Sequence, residues 1–265
     1  MNHLLRDAAP ISDAAWKEID REIRERLVPS LAARRLVDFA GPAGWDHAAV
    51  AIGRVAGIDA PVEGLEARLR RVVPLVELRA GFSVARAELR DLDRGAVDLD
   101  FDEADAAARR IAEAENVAVF HGWAAAGIVG VAEASEMEPI VAAENYAEYP
   151  KHVAKAVETL LSAGVSGPYG LALGPDAYTG VVETTEQGGL IVFDHLHQIL
   201  GGPIVRAPGV RGAIVLSLRG GDFLFEAGED LSVGYHSHDA ESVYLYVEES
   251  FTFRVATPEA AVALQ

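Results

Sequence analysis

No cysteine occurs among the 265 residues, and that one absence removes disulfides, Cys-ligated zinc, iron–sulfur clusters and thiol nucleophiles together. It accords with a reducing compartment. Long apolar runs are missing as well. No stretch approaches the ~18 apolar residues that a membrane helix needs, and the opening MNHLLRDAAPISDAAWKEID lacks the apolar core of a secretory signal. A cytoplasmic protein with no membrane partner is expected. Basic charge is scarce: 23 Lys+Arg stand against 41 Asp+Glu, a formal net of −18. Holding a phosphate backbone depends on Lys and Arg displacing counterions, so no nucleic acid partner is expected either. The acidic surplus has two readings: solubility, or a carboxylate-lined pore that admits cations.

The motifs of the common enzyme classes are also missing. The glycine-bearing stretches GGPIVRAPG and RGGD have neither G-x-G-x-x-G spacing nor a P-loop lysine. No G-x-S-x-G elbow is present, and the eight histidines fall in no triad order. Two His-x-His pairs, His195/His197 and His236/His238, have a spacing that on a strand shares one face. They read either as a metal site, with Asp239 or Glu241 as the further ligand of the second pair, or as exposed polar turns. Glu113-Ala-Glu115 with His121 lacks the helical Glu-x-x-His pattern of di-iron proteins and reads as a solvated face. No catalytic residue, cofactor or metal ligand is assigned.

What is present is an ordinary globular composition, 50% hydrophobic and 24% charged, long enough for one large domain or two lobes. Ser12 or Asp13 caps a helix whose apolar stripe is Trp16, Ile19, Ile23 and Leu27, with Pro29 ending or kinking it. Val50, Ile52 and Val55 predict an extended run. Leu65, Ala67 and Leu69 alternate with Glu66, Arg68 and Arg70 as in a half-buried strand, although a helix over 64–71 remains open. A two-stranded arm made of these would carry too little apolar surface to stand alone. Further on, Asp102 predicts the cap of a helix to about Asn116, and a second helix covers 148–163 with Gly164 as its stop. Strands are predicted at 169–173, 203–207, 212–218, in FLFEAG, and at 243–247 and 251–255. The fold class is α+β.

Several segments, in order along nearly the whole chain, resemble the classical encapsulin family of linocin-like shell proteins. They are APISDAAWKEID, AARRLVDFAGPAGWDHAA, VVPLVELRAGFSV, EAENVAVFHGWAAAGIVG, SGPYGLALGPDAY, RGGDFLFEAGEDLSVGY and ESFTFRVATPEAAVAL. The resemblance implies an HK97-type capsid fold with a peripheral lobe, an axial lobe and an extended arm. Residues 1–46 would then hold the N-terminal helix and the start of the peripheral domain, and 47–76 the arm. Residues 77–130 would continue the peripheral domain, 131–218 would form the axial domain, and 219–265 the C-terminal strands of the peripheral domain. It also implies a homo-oligomer, the smallest sixty-subunit icosahedral shell. Such a shell encloses a cargo enzyme, a ferritin-like protein or a dye-decolourising peroxidase, for iron storage or oxidative-stress defence. Carried over residue by residue, the cargo's C-terminal targeting peptide would dock on Leu27, Leu31, Arg34, Asp38, Asp230, Leu231 and Tyr235. Glu183, Glu186 and Gln187 would line a five-fold pore. Some relatives carry a Trp where this chain has Ala87; without a ring to stack on, a flavin is not carried over. Two alternatives stay open: a tailed-phage capsid protein, which shares the fold, and a peptidase, for which no nucleophile with a base, acid dyad or zinc motif is found.

Overall fold

Helix α1 (Asp13–Leu27) begins where the sequence places it. The Ser12 hydroxyl accepts from the Ala15 amide at 3.1 Å, one of the donors a helix start leaves unpaired. Its stripe of Trp16, Ile19, Ile23 and Leu27 is buried, while Arg21 pairs with Glu18 and Glu25 on the outer face. After a short 3-10 turn (Ala33–Arg35) comes β1 (Asp38–Ala40). There the chain passes so close to a neighbouring strand that a Cβ on Gly41 would lie 2.5 Å from the Ala227 carbonyl oxygen. Together with its φ of 118°, that contact restricts the position to glycine. The computed structural model describes residues 3–142, 145–186 and 189–265.

Strands β2 (Ala49–Ile58) and β3 (Ala67–Pro74) form an antiparallel ribbon that pairs with no third strand among the described residues. The alternation over 65–70 therefore belongs to an extended segment, not a helix. Along the ribbon Val55, Ile58, Val62, Leu65, Leu69 and Val72 remain between 51% and 63% exposed.

β4 (Val76–Ala85) leads into α2 (Arg86–Asp93) and the long α3 (Asp102–His121). α3 runs five residues beyond the expected end at Asn116 because Ala118, Val119 and Phe120 extend its buried face, until Gly122 (φ 89°) stops it. Asp102 is its first residue and not its cap; with Glu103 and Asp105 it puts negative charge at the positive end of the helix dipole.

The next part of the chain contains α4 (Val131–Ala134), α5 (Tyr149–Ser162), β5 (Tyr169–Leu173), α6 (Pro175–Glu183), α7 (Val192–Leu200), β6 (Ile204–Arg206) and β7 (Ala213–Ser217). The chain finishes with β8 (Phe223–Ala227), β9 (Ser232–His238), β10 (Ser242–Val255) and β11 (Ala261–Leu264).

Two sheets organise these elements. One has the order β1-β8-β10-β4, with β9 also paired to β10; the other has the order β11-β7-β5-β6. Its last strand corrects the expectation for 219–265: β11 pairs antiparallel with β7, so the chain end crosses from the first sheet to the second. All four residues of β11 are buried, an apolar run that suits a strand covered on both faces. A further correction concerns 243–255, expected as two strands. β10 is continuous through Glu248, Glu249 and Ser250, because partners meet the carboxylates and the ladder does not break.

The core is in two clusters. In one, α1 and α3 pack on β4, β9 and β10 through Trp16, Ile19, Phe82, Ile111, Leu245 and Val247. The other fills the second sheet and its helices, and extends to the far end of β10, where Phe225 stacks on Phe251 at 5.0 Å.

Candidate functional site

Arg34 is the residue on which the site is built. The 3-10 turn after α1 directs its guanidinium inward, where three separate nitrogens meet three carboxyl groups. Nε donates to Glu115 Oε2 at 2.7 Å, Nη2 to Glu249 Oε2 at 2.8 Å and Nη1 to Asp230 Oδ1 at 2.6 Å. Phe39 and Phe225 lie 4.9 and 5.5 Å from the guanidinium carbon, close enough for cation–π attraction. Burial works against the Arg34 charge, but Glu115, Glu249 and Asp230 together outweigh it and hold its pKa above the ordinary value. Burial raises the pKa of Glu115, an effect Arg34 only partly offsets. Burial followed by repulsion from Glu115 raises that of Glu249 well above the usual carboxylate range.

The other dock candidates gather nearby. The Leu31 amide bonds the Leu27 carbonyl at 3.0 Å, so a helical turn persists past Pro29 and both leucines enter the cluster between α1 and the sheet. They are 5% and 9% exposed and form the floor of the site instead of an open groove. Leu231 and Tyr235 pack on the same cluster from β9 and the turn before it, both half-buried. Val28, the residue that caps the end of α1, is 61% exposed. Asp38 accepts from the Gly221 amide at 2.8 Å, tying β1 to the turn before β8. Two members of the knot escaped sequence reasoning. Glu249 carries no local signal of its role, and Glu115, expected on a solvated face, is 0% exposed. A signal existed: Glu115 falls on the stripe of Ala104, Ala108, Ile111 and Val119, the buried face of α3.

The loop candidates are less concentrated. Glu183 is exposed at the end of α6. Glu186 is bound to His195 Nδ1 on α7 at 2.8 Å. Gln187 lies outside the described residues. Helical geometry turns His197 away from His195, and a bulge at His236 separates the second pair: His238 bonds the Tyr235 hydroxyl, whereas His236 lies beside Tyr244 and Tyr246. Among the described residues no group of three His, Asp or Glu side chains is placed to hold a metal.

A family model described as an encapsulating protein for peroxidase matches residues 1–252. The chain belongs to the encapsulin shell-protein family. The type 1 encapsulin shell protein of Rhodospirillum rubrum is 48% identical, covering all of this chain and 97% of that one. The shell protein of Mycobacterium tuberculosis is 41% identical over all of this chain and 99% of its own length. Among solved structures, a virus-like particle from Pyrococcus furiosus superposes with a TM-score of 0.68 at 18% identity, over 94% of this chain and 99% of that one. The capsid of an empty GTA particle does so at 0.53 and 15%, over 88% and 89%. At such identities the structures establish the fold, which is the HK97-type capsid fold the sequence resemblance implied.

In this encapsulin chain Arg34 is held by two fully buried glutamates, Glu115 and Glu249, and by the part-exposed Asp230. Arg34→Ala should cost about 3–5 kcal/mol at neutral pH, since it leaves Glu115 and Glu249 buried without their cation. Chemical denaturation measures this; a loss below about 1 kcal/mol would show that the knot rearranges freely.

Proposed function

We propose that this chain self-assembles into a closed icosahedral shell around a cargo enzyme, and that it contributes containment and not chemistry. The observation that supports this reading most is the β2–β3 ribbon. Two strands alone are marginal in water, yet this pair and the turn that joins it expose six large apolar side chains. Covering the open halves of these six would contribute on the order of 5 kcal/mol. A ribbon of this kind, laid on a neighbouring copy, makes a head-to-tail contact, which closes when the rotation between copies allows. Deleting residues 50–72 should leave capsomers or aggregates, seen by electron microscopy and size exclusion. Closed shells from the deletion would overturn the assembly role given to the arm.

The cargo reading extends the family's name to a surface of this chain. We place the targeting peptide over Leu231, Tyr235 and Val28, with Leu27 and Leu31 beneath and Asp38 and Asp230 at the margin. Three of the five guanidinium N–H donors of Arg34 are taken by carboxylates, which leaves two for a peptide carbonyl. Single-site affinity need only be modest, because an oligomeric cargo binds many equivalent sites. Leu31→Asp would put a charge in the core and confuse folding with docking, so the informative change is at the exposed Val28. Val28→Asp should assemble normally and lower the cargo-to-shell ratio roughly ten-fold, read by gel densitometry of purified shells. An unchanged ratio would place the dock elsewhere.

Cation entry is the third element of the proposal. Glu183 and Glu186 flank the loop assigned to the five-fold opening. His195 engages Glu186, so Glu183 presents the freer carboxylate. Repeated by symmetry, it would concentrate cations at the opening. Glu183→Lys should slow divalent-cation entry into loaded shells about ten-fold at low salt, followed by stopped-flow. Equal rates would remove this loop as the gate.

A further inference from the structure

The Arg34 knot contains one acceptor too many at two places. Glu115 and Glu249 each give one oxygen to Arg34. Their other oxygens, Oε1 in both, are buried and receive no donor from any described residue. Their Oε2 atoms bond neighbouring nitrogens of one guanidinium, Nε and Nη2, which brings the two carboxyl groups side by side. Two ionised carboxylates do not bond each other, and a buried acceptor without a donor is costly. A proton retained by the pair removes one of the two charges and turns one of the orphaned acceptors into a donor.

The charges around the pair point the same way. Arg34 faces it from the 3-10 turn, Glu115 lies on α3, Glu249 on β10 and Asp230 on the turn before β9. Of these only Asp230, 45% exposed at its side chain, is in good contact with water. The neutral Asn116 adds two bonds to the same segment, from its side chain to the Ala33 amide at 3.0 Å and the Ser30 carbonyl at 2.8 Å. With all three carboxyls ionised, one guanidinium would leave two negative charges unbalanced, whereas a retained proton leaves one.

We propose that Glu115 and Glu249 share a single proton in the folded subunit, and that this proton is the catch fastening segment 30–38 to α3 and β10, so that alkaline solution loosens that wall. The sign follows from linkage. The folded pair binds its proton more tightly than the unfolded chain, where both groups return to the ordinary value of 4.5. The stabilisation is therefore complete below the ordinary carboxylate range and is lost as pH rises through the pair's raised value. Above that value two ionised groups repel each other in a buried setting, and the knot opens on the side of Asp230, where water enters. The proposal is independent of cargo, and empty shells test it.

The apparent melting temperature of native empty shells should fall by about 3–5 °C per pH unit once pH passes the ordinary carboxylate range. Amide exchange over 30–38, corrected for its intrinsic pH dependence, should quicken in the same window. Glu249→Gln supplies a permanent neutral partner and should flatten both responses; Glu115→Gln is the second variant. Infrared spectroscopy of the native protein reads the proton directly, as the carbonyl stretch of an un-ionised carboxyl at neutral pH. The proposal fails if that band is missing, or if both variants keep the native pH slope. Should the variants not fold, the native infrared band decides alone.

Discussion

β10 must find partners along both of its edges, and most of the subunit is arranged to supply them. β4 pairs with one edge from Ser242 to Phe251, and β9 followed by β8 pairs with the other. Side chains alternate along a strand, so the odd positions of β10 all face inward. Val243, Leu245 and Val247 enter the cluster under α1 and α3, and Phe251 and Phe253 enter the larger one. Glu249 lies between them on the same face. It cannot turn outward without a register slip that would expose every apolar neighbour. Its charge must be met inside, and Arg34 meets it. That requirement fixes segment 30–38, and with it the place where β1 joins parallel to β8.

How far the sequence discloses this depends on whether the signal is local. α1 is legible because its cap and its 3.6-residue stripe lie within one window. β5 and β7 are legible as short apolar runs between glycine-bearing turns. The ordered family segments supply the capsid fold, which no single element implies. α6 and α7 are not legible. Their β-branched, glycine and histidine residues are poor helix formers, and packing makes the helices. A Cβ on Gly180 would come 2.1 Å from the Tyr146 ring, and Val192, Leu196 and Leu200 are buried at four-residue steps. β10 is misread as two strands because its polar middle resembles a turn until Arg34 and Arg79 are seen opposite it.

The dock candidates show the same limit. Leu27, Leu31, Leu231 and Tyr235 gather at one cluster, but only the fold separates floor from surface. Arg34 and Asp230 prove to be bonded to each other, 196 residues apart in sequence. A hydrophobic position four residues from another looks the same in a sequence whether it lines a groove or closes a core. Burial is a property of what packs opposite, and that information lies far along the chain.

An apolar replacement of comparable volume at Arg34, Glu115 and Glu249 would fill the same space with less desolvation cost. What it would not do is specify position. Apolar contacts tolerate sliding, whereas a guanidinium with three directed bonds accepts one placement of α3, β10 and the turn before β9 at a time. In the proposed shell that distinction matters more than in a free monomer. An error of register in the wall is repeated in every copy, and the β2–β3 ribbon must reach its neighbour from a fixed base. The ribbon root at Ala48 and Leu75, bonded to each other at 3.0 Å, lies against the turn at Gly228, two residues from Asp230. The charge knot and the arm thus meet in one short stretch of chain, and a wall set by directed bonds gives the arm a defined point of departure.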